Sequence, residues 1–147
     1  MNDERWMREA LSEAELAFSE NEVPIGAVVV RNDTVISRAH NDCVQTCDPT
    51  RHAECIALKE AYRKLKTLEG CTLYVTVEPC AMCAGTMLQL RLPRLVFGAF
   101  EPVTGCCGSK IDLTDHWFEA STATIGGILE PQCRELMQRF FAQFCRN

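Results

Sequence analysis

The sequence predicts a mixed α/β fold in which helices cover a layered sheet. The chain has 147 residues, the size of one domain, so we expect a single domain over residues 1–147. Hydrophobic residues make up 47% of the chain and charged residues 24%, close to the average globular domain, so disorder, collagen and coiled coil are poor interpretations. Helical and strand patterns follow in the order α-β-β-α-β-α-β-β-α, which indicates a layered α/β sheet.

The first elements are a helix and a hairpin. Residues 3–20 carry apolar side chains near helical spacing and predict an amphipathic helix. The run Ala27–Val30 is typical of a short buried strand. Asn32 and Asp33 then form a hairpin turn that leads to a second strand, Thr34–Ala39.

The rest of the chain alternates helices with strands. Asp48-Pro49-Thr50 combines capping residues with a proline that suits the first helical position, so we predict a helix from about residue 51 to 66. The remaining elements follow from β-rich runs and helical spacing, and they are strand Thr72–Val77, helix Ala81–Leu90, strand Arg94–Ala99, a fifth strand at Ser121–Ile125, and a helix from Pro131 to about Phe144.

Charge and cysteine content restrict the environment. The net charge of −5 comes from residues 1–22, which hold seven acids and two bases, so the usual basic signature of a nucleic-acid-binding domain is missing. The longest run without Asp, Glu, Lys or Arg is Pro79–Leu90, 12 residues, whereas a membrane-spanning helix needs about 20. The N-terminus also lacks a signal-peptide pattern, so we expect a cytoplasmic protein that does not bind a membrane. In that compartment the ten cysteines should be reduced thiols, some of which bind metal.

Two cysteines and one histidine form a candidate metal site. Cys80 and Cys83 stand at a predicted helix start, where both thiolates can reach one ion; such a pair suits zinc or a redox disulfide. A structural zinc site needs four protein ligands, and no second Cys-x-x-Cys exists. His52 together with the two thiolates leaves a fourth position for water, which is the open site of a catalytic zinc ion.

Glu54 is the candidate proton carrier. Two residues beyond His52 in a helical first turn, it points about 200° away, so it is an awkward ligand for the same ion. Its carboxylate can instead lie beside the water. Zinc lowers the pKa of such a water toward about 7, and a carboxylate there can move its proton to a leaving nitrogen.

Longer segments resemble a known enzyme family. The pattern His-x-Glu with Pro-Cys-x-x-Cys is the zinc deaminase signature. Further segments match in sequence, and they are Val23-Pro-Ile-Gly-Ala, Asp48-Pro-Thr-Arg-His-Ala-Glu, Leu73-Tyr-Val-Thr-Val-Glu-Pro-Cys-Ala-Met-Cys-Ala-Gly, Val96-Phe-Gly-Ala and Thr104-Gly-Cys-Cys-Gly-Ser. From about Trp6 to Phe144 the chain resembles the bacterial tRNA-specific adenosine deaminases of the cytidine/deoxycytidylate deaminase superfamily.

The resemblance implies a fold, an activity and site residues. It implies a three-layer α-β-α, cytidine deaminase-like fold with a central mixed sheet of about five strands flanked by helices. It also implies a homodimer that converts adenosine to inosine at the wobble position of the tRNA anticodon stem-loop. His52, Cys80 and Cys83 would hold one zinc ion, Glu54 would move protons and Asn41 would hydrogen-bond the purine.

Two segments depart from the family pattern. Family members commonly read Ala-Arg-Asp-x-Lys-Thr-Gly where this chain has Ala99–Gly105, so Phe100 and Val103 replace two bases. The acid in this segment is Glu101, which can accept a hydrogen bond from a ribose 2′-OH, the group that marks RNA. The C-terminal segment carries Arg146 alone in place of a basic cluster.

Three functions are compatible with the sequence. The first is a tRNA adenosine deaminase. The second is a deaminase of a free nucleobase or nucleoside, which needs no phosphate contacts. The third is a non-catalytic zinc-binding module, in which Glu54 would have no purpose.

Overall fold

A computed structural model describes residues 2–115 and 120–144 of the protein, so Arg146 lies outside the described residues. Five helices are present in these ranges: α1 Asp3–Ser19, α2 Cys43–Thr46, α3 Ala53–Leu65, α4 Ala81–Gln89 and α5 Glu130–Ala142. The same ranges contain five strands: β1 Gly26–Arg31, β2 Thr34–His40, β3 Thr72–Val77, β4 Arg94–Ala99 and β5 Ala123–Ile125. None of the described helices combines the length and the apolar character that crossing a bilayer requires.

The strands form one mixed sheet in the order β2-β1-β3-β4-β5. Strand β1 pairs antiparallel with both β2 and β3. Strand β4 pairs parallel with β3 and with β5. The predicted mixed sheet of about five strands is therefore confirmed.

Helices cover both faces of this sheet. Side chains alternate along a strand, so Ala27 and Val29 of β1 pack in one core with α3 and α4. Val28 and Val30 of the same strand pack in the other core with α1 and α5. The result is the predicted three-layer α-β-α arrangement, with α3 and α4 on the same side of the sheet.

The predicted start of α3, the second helix expected from the sequence, was wrong. The sequence placed it near residue 51 after a cap at Asp48 or Thr50, but α3 begins at Ala53 with His52 at its N-cap. The Asp48 carboxylate accepts hydrogen bonds from the Thr50 backbone N–H at 2.9 Å and from its hydroxyl at 2.6 Å. Asp48 therefore closes a local turn that precedes the helix rather than capping it.

Gly26 packs directly against the backbone of α1, and this contact predicts an effect on stability. A Cβ at this position would lie 2.0 Å from the Ala10 carbonyl oxygen and 2.4 Å from the Ala14 nitrogen, both backbone atoms. Gly26→Ala must therefore displace α1, and we expect the free energy of unfolding to fall by about 1–3 kcal/mol. Gly85→Ala is the matched control, because a Cβ there meets no atom within 4 Å in the middle of α4. Urea unfolding measures the free energy of unfolding of both variants. A Gly26→Ala protein as stable as Gly85→Ala would contradict the prediction.

Candidate active site

Three side chains at two helix starts form a compact cluster. His52 is the N-cap of α3, Cys80 is the N-cap of α4, and Cys83 lies in the first turn of α4. His52 Nδ1 lies 3.6 Å from Cys80 Sγ and 3.6 Å from Cys83 Sγ. All three ligand atoms lie within 4.8 Å of one another, so the structure brings together the residues that the spacing suggested.

The chemistry of these donors fits a zinc ion. Two sulfur atoms and one imidazole nitrogen are a zinc-type donor set, and three protein ligands leave one position open. Hydrogen bonds from Cys83 and His52 lower the pKa of the Cys80 thiol to about 3, although burial opposes the shift, and the thiolate is the form of cysteine that binds a metal ion. All the cysteines that the structure describes are free thiols.

Glu54 lies in the first turn of α3, beside this cluster. Its side chain is buried, and Oε1 has no hydrogen-bond partner among the described residues. Burial raises the pKa of the Glu54 carboxyl to about 7, although the nearby His52 opposes the shift. A buried carboxylate with an unpartnered oxygen next to three metal donors is suited to exchange protons with a bound reactant.

Asn41 lies at the same end of the sheet, just after β2. It is buried, and its Oδ1 accepts a hydrogen bond from the Ala53 backbone N–H at 2.8 Å. Asn41 thus satisfies one of the free amides at the start of α3. Because the amide oxygen is used in this way, the Nδ2 group is the part of Asn41 that remains to donate to a ligand.

Glu101 is held within its own loop. Its carboxylate accepts a hydrogen bond from the Val103 backbone N–H at 2.9 Å. It also lines a cavity of about 240 Å³ together with Phe100, Arg134 and Phe141. Among the described residues, this hydrogen bond links Glu101 to its own loop and not to the cluster of His52, Cys80 and Cys83.

Glu78 is a buried site residue that sequence analysis missed. Its carboxylate accepts hydrogen bonds from the backbone N–H groups of Glu101, Cys107 and Ser109 and from the Ser109 hydroxyl. These bonds fasten loop 101–109 to the end of β3, two residues before Cys80. The only sequence signal was its place in Glu78-Pro79-Cys80, because its partners are 23 or more residues away.

Replacement of Glu78 should loosen this loop. In Glu78→Gln an amide N–H₂ replaces one of the two accepting oxygens and faces N–H donors, so at least one buried donor loses its partner. We expect a loss of about 1–3 kcal/mol in stability and faster amide exchange at Cys107 and Ser109. Ser109→Ala is the milder control, since it removes one donor and keeps the carboxylate. Hydrogen-exchange rates measure this, and unchanged rates in Glu78→Gln would refute the loop-fastening role.

Comparison with known proteins agrees with this geometry. Residues 1–144 match the MafB19-like deaminase family. The chain is 43% identical over 144 residues to the tRNA-specific adenosine deaminase of Bacillus subtilis, covering 96% of this chain and 89% of that protein. It is 44% identical over 118 residues to the tRNA-specific adenosine deaminase of Aquifex aeolicus, covering 79% and 78%.

Solved structures show the same fold. One from a study of A-to-I editing by tRNA:A34 deaminases matches with a TM-score of 0.85 at 36% identity, covering 90% of this chain and 98% of that chain. A guanine deaminase from Nitrosomonas europaea matches with a TM-score of 0.82 at 22% identity, covering 95% and 84%, and it shares the fold alone. The three-layer fold and the family match define a deaminase. By its identity to the relatives named above, the chain belongs to the tRNA-specific adenosine deaminase family.

Proposed function

We propose that the protein converts adenosine to inosine at the wobble position of tRNA by zinc-dependent hydrolytic deamination. The observation that carries this proposal is the His52, Cys80 and Cys83 cluster beside the buried, unpartnered Glu54. The substrate is inferred from the family, because the relatives at 43–44% identity are named tRNA-specific adenosine deaminases. A purely structural zinc module would have no use for an orphaned buried carboxylate, so the geometry favours an enzyme.

Each site residue has a separate task in this reaction. A zinc ion held by His52, Cys80 and Cys83 would supply activated water at neutral pH. Glu54 takes a proton from the attacking water and delivers it to the C6 amino group. A C–O bond forms, the C–N bond breaks and ammonia leaves. Asn41, fixed through its Oδ1 by the start of α3, donates its Nδ2 protons to an acceptor nitrogen of the purine.

Inosine mapping tests the proposal directly. Zinc-loaded protein is incubated with unmodified tRNA, and the tRNA is then sequenced for A-to-G changes; a new change at the wobble adenosine is the expected result. Ammonia release from free adenosine, adenine and guanine is measured in parallel. Ammonia release from a free base or nucleoside without any change in tRNA would favour the second function instead.

We also propose that the chain is one deaminase domain and acts as a homodimer in the cytoplasm. Two large apolar side chains are exposed on helices of this fold, Val44 of α2 at 68% and Met82 of α4 at 36%, and pairing would cover such surface. Light scattering tests the assembly, since a homodimer has twice the chain mass of 16.5 kDa.

The apolar side chains of Phe100 and Val103 predict that this loop makes weak contact with the phosphates of the tRNA. Val103 is 72% and Phe100 48% exposed, where relatives commonly carry bases. We expect Phe100→Arg with Val103→Lys to tighten binding of an anticodon stem-loop. The slope of the logarithm of the binding constant against the logarithm of the salt concentration should become steeper by about 0.7–0.9 for each phosphate that the new cations neutralise. Leu16→Lys is the control, because Leu16 is exposed and lies beside the edge strand β2, with β1 and β3 between that strand and β4.

Titrations over a salt series measure the effect. A double variant whose slope matches that of the wild type would show that this loop does not touch the polynucleotide. Glu101 remains proposed as the acceptor for a ribose 2′-OH. That role requires its carboxylate to leave the Val103 N–H or to bind both partners at once.

A further inference from the structure

A third thiol lies against the donor cluster and has no role in the reaction proposed above. Cys55 is on α3, and its Sγ lies 3.5 Å from Cys83 Sγ on α4. Both residues are buried, with exposures of 4% and 0%, so little water competes for this contact. Among the described residues, the group whose donor atoms all lie within 4.8 Å of one another is His52, Cys80 and Cys83, without Cys55.

We infer that Cys55 is a positioning residue for the metal centre, whose S–H group donates a hydrogen bond to the Cys83 thiolate. The inference rests on the proposed zinc site, because Cys83 becomes a thiolate when it binds the ion. The bond orients one ligand sulfur from a neighbouring helix and withdraws part of its negative charge. Partners of this kind outside the ligand set tune both metal affinity and ligand basicity.

The surrounding contacts decide the direction of this hydrogen bond. Cys55 Sγ has a second neighbour, Thr86 Oγ1, at 3.4 Å. The Thr86 hydroxyl can direct its own proton to the Met82 carbonyl oxygen, which lies 3.0 Å away. The single proton of Cys55 therefore has two acceptors, the neutral Thr86 oxygen and the charged Cys83 sulfur. Hydrogen bonds to ionised acceptors are roughly twice as strong as neutral ones, so the Cys55 S–H group donates its hydrogen bond to the Cys83 thiolate.

Cobalt(II) in place of zinc makes the charge on the thiolates visible through the sulfur-to-cobalt absorption band. Cys55→Ala and Cys55→Val both remove the donor, the first leaving a small cavity and the second filling it. We expect both to move the band to longer wavelength, because a thiolate without its donor gives up an electron more readily. Cys55→Ser keeps a donor and should restore the wild-type position. Cys71→Ala, at a buried cysteine in the loop before β3, is the matched control and should not move the band.

Metal affinity provides a second measurement on the same proteins. Competition with a chelator should show zinc affinity lower by about 10–100-fold in Cys55→Ala and Cys55→Val and close to wild type in Cys55→Ser. An unchanged band in both donor-free variants would overturn the inference. A loss of band intensity in Cys55→Ala and Cys55→Val equal to the contribution of one thiolate would also overturn it, because Cys55 would then be a metal ligand. A wild-type protein that takes up no cobalt or zinc would instead refute the proposed metal site itself, and the role of Cys55 with it.

Discussion

Glu54→Gln should abolish deamination while leaving the fold and the bound zinc in place. Glutamine has the shape of glutamate but cannot take up or release a proton at neutral pH, so the water and the departing amino group lose their proton carrier. General acid–base catalysis contributes about 10²–10⁴-fold, and we expect the turnover number to fall by at least that factor because one group serves several transfers. Metal content should stay at the wild-type value, since Glu54 is not among the clustered donors.

The stability of this variant separates catalysis from folding. Glu54 is buried, and its Oε1 has no partner among the described residues, so the carboxylate costs free energy in the fold. Thermal unfolding of Glu54→Gln should therefore occur at or above the wild-type temperature. Glu60→Gln removes a partly exposed carboxylate from the same helix and should leave turnover unchanged. Near-wild-type turnover in Glu54→Gln would mean that another residue carries the proton.

The cluster could be predicted from the sequence because its geometry is mostly local. His52, Cys80 and Cys83 each stand at a helix start, and a Cys-x-x-Cys pair at such a start faces one side of a turn. The half-turn offset between His52 and Glu54 likewise predicted a carboxylate that is not a ligand. Only the close approach of α3 to α4 could not be predicted without the tertiary structure. In the structure both helices pack on the same face of the sheet, which brings their first turns together.

Features that depend on distant partners were not predictable. Helix α2 has four residues, too few for a periodic pattern, and the buried Glu22 carboxylate holds it by accepting the Val44 and Gln45 backbone N–H groups. Asp48 is a different case, because its partner is local: its sequence context fits both a helix cap and a turn. In the structure its Oδ1 accepts hydrogen bonds from the backbone N–H and the hydroxyl of Thr50, two residues away.

The roles of Glu78 and Cys55 also come from tertiary contacts. The donors to Glu78 lie on loop 101–109, and the neighbour of Cys55 lies on another helix, 28 residues along the chain. A lone glutamate and a lone cysteine have no sequence pattern that indicates either contact. Both residues nevertheless act on the predicted site, Glu78 by fixing its neighbouring loop and Cys55 through one ligand sulfur.

His52→Ala and Cys80→Ser should each remove the bound zinc, because each takes away one of only three protein ligands. Loss of a partner outside the ligand set costs about 10–100-fold in metal affinity, and loss of a ligand should cost more than that. The stability of the wild type should therefore depend on zinc, since a ligand present at about 100 times its Kd stabilises the folded state by about 2.7 kcal/mol.

Elemental analysis and thermal unfolding with and without a chelator measure both effects. The chelator should lower the melting temperature of the wild type and leave that of the two variants unchanged, because they have no zinc to lose. Cys71→Ala is the matched control: it removes a buried thiol that precedes β3, whereas Cys80 and Cys83 follow the other end of that strand, and it should keep one zinc per chain and the full response to chelator. Full zinc content in both His52→Ala and Cys80→Ser would contradict the ligand assignment. Zinc retained in His52→Ala alone would point to a site built on the two sulfurs with a different third donor.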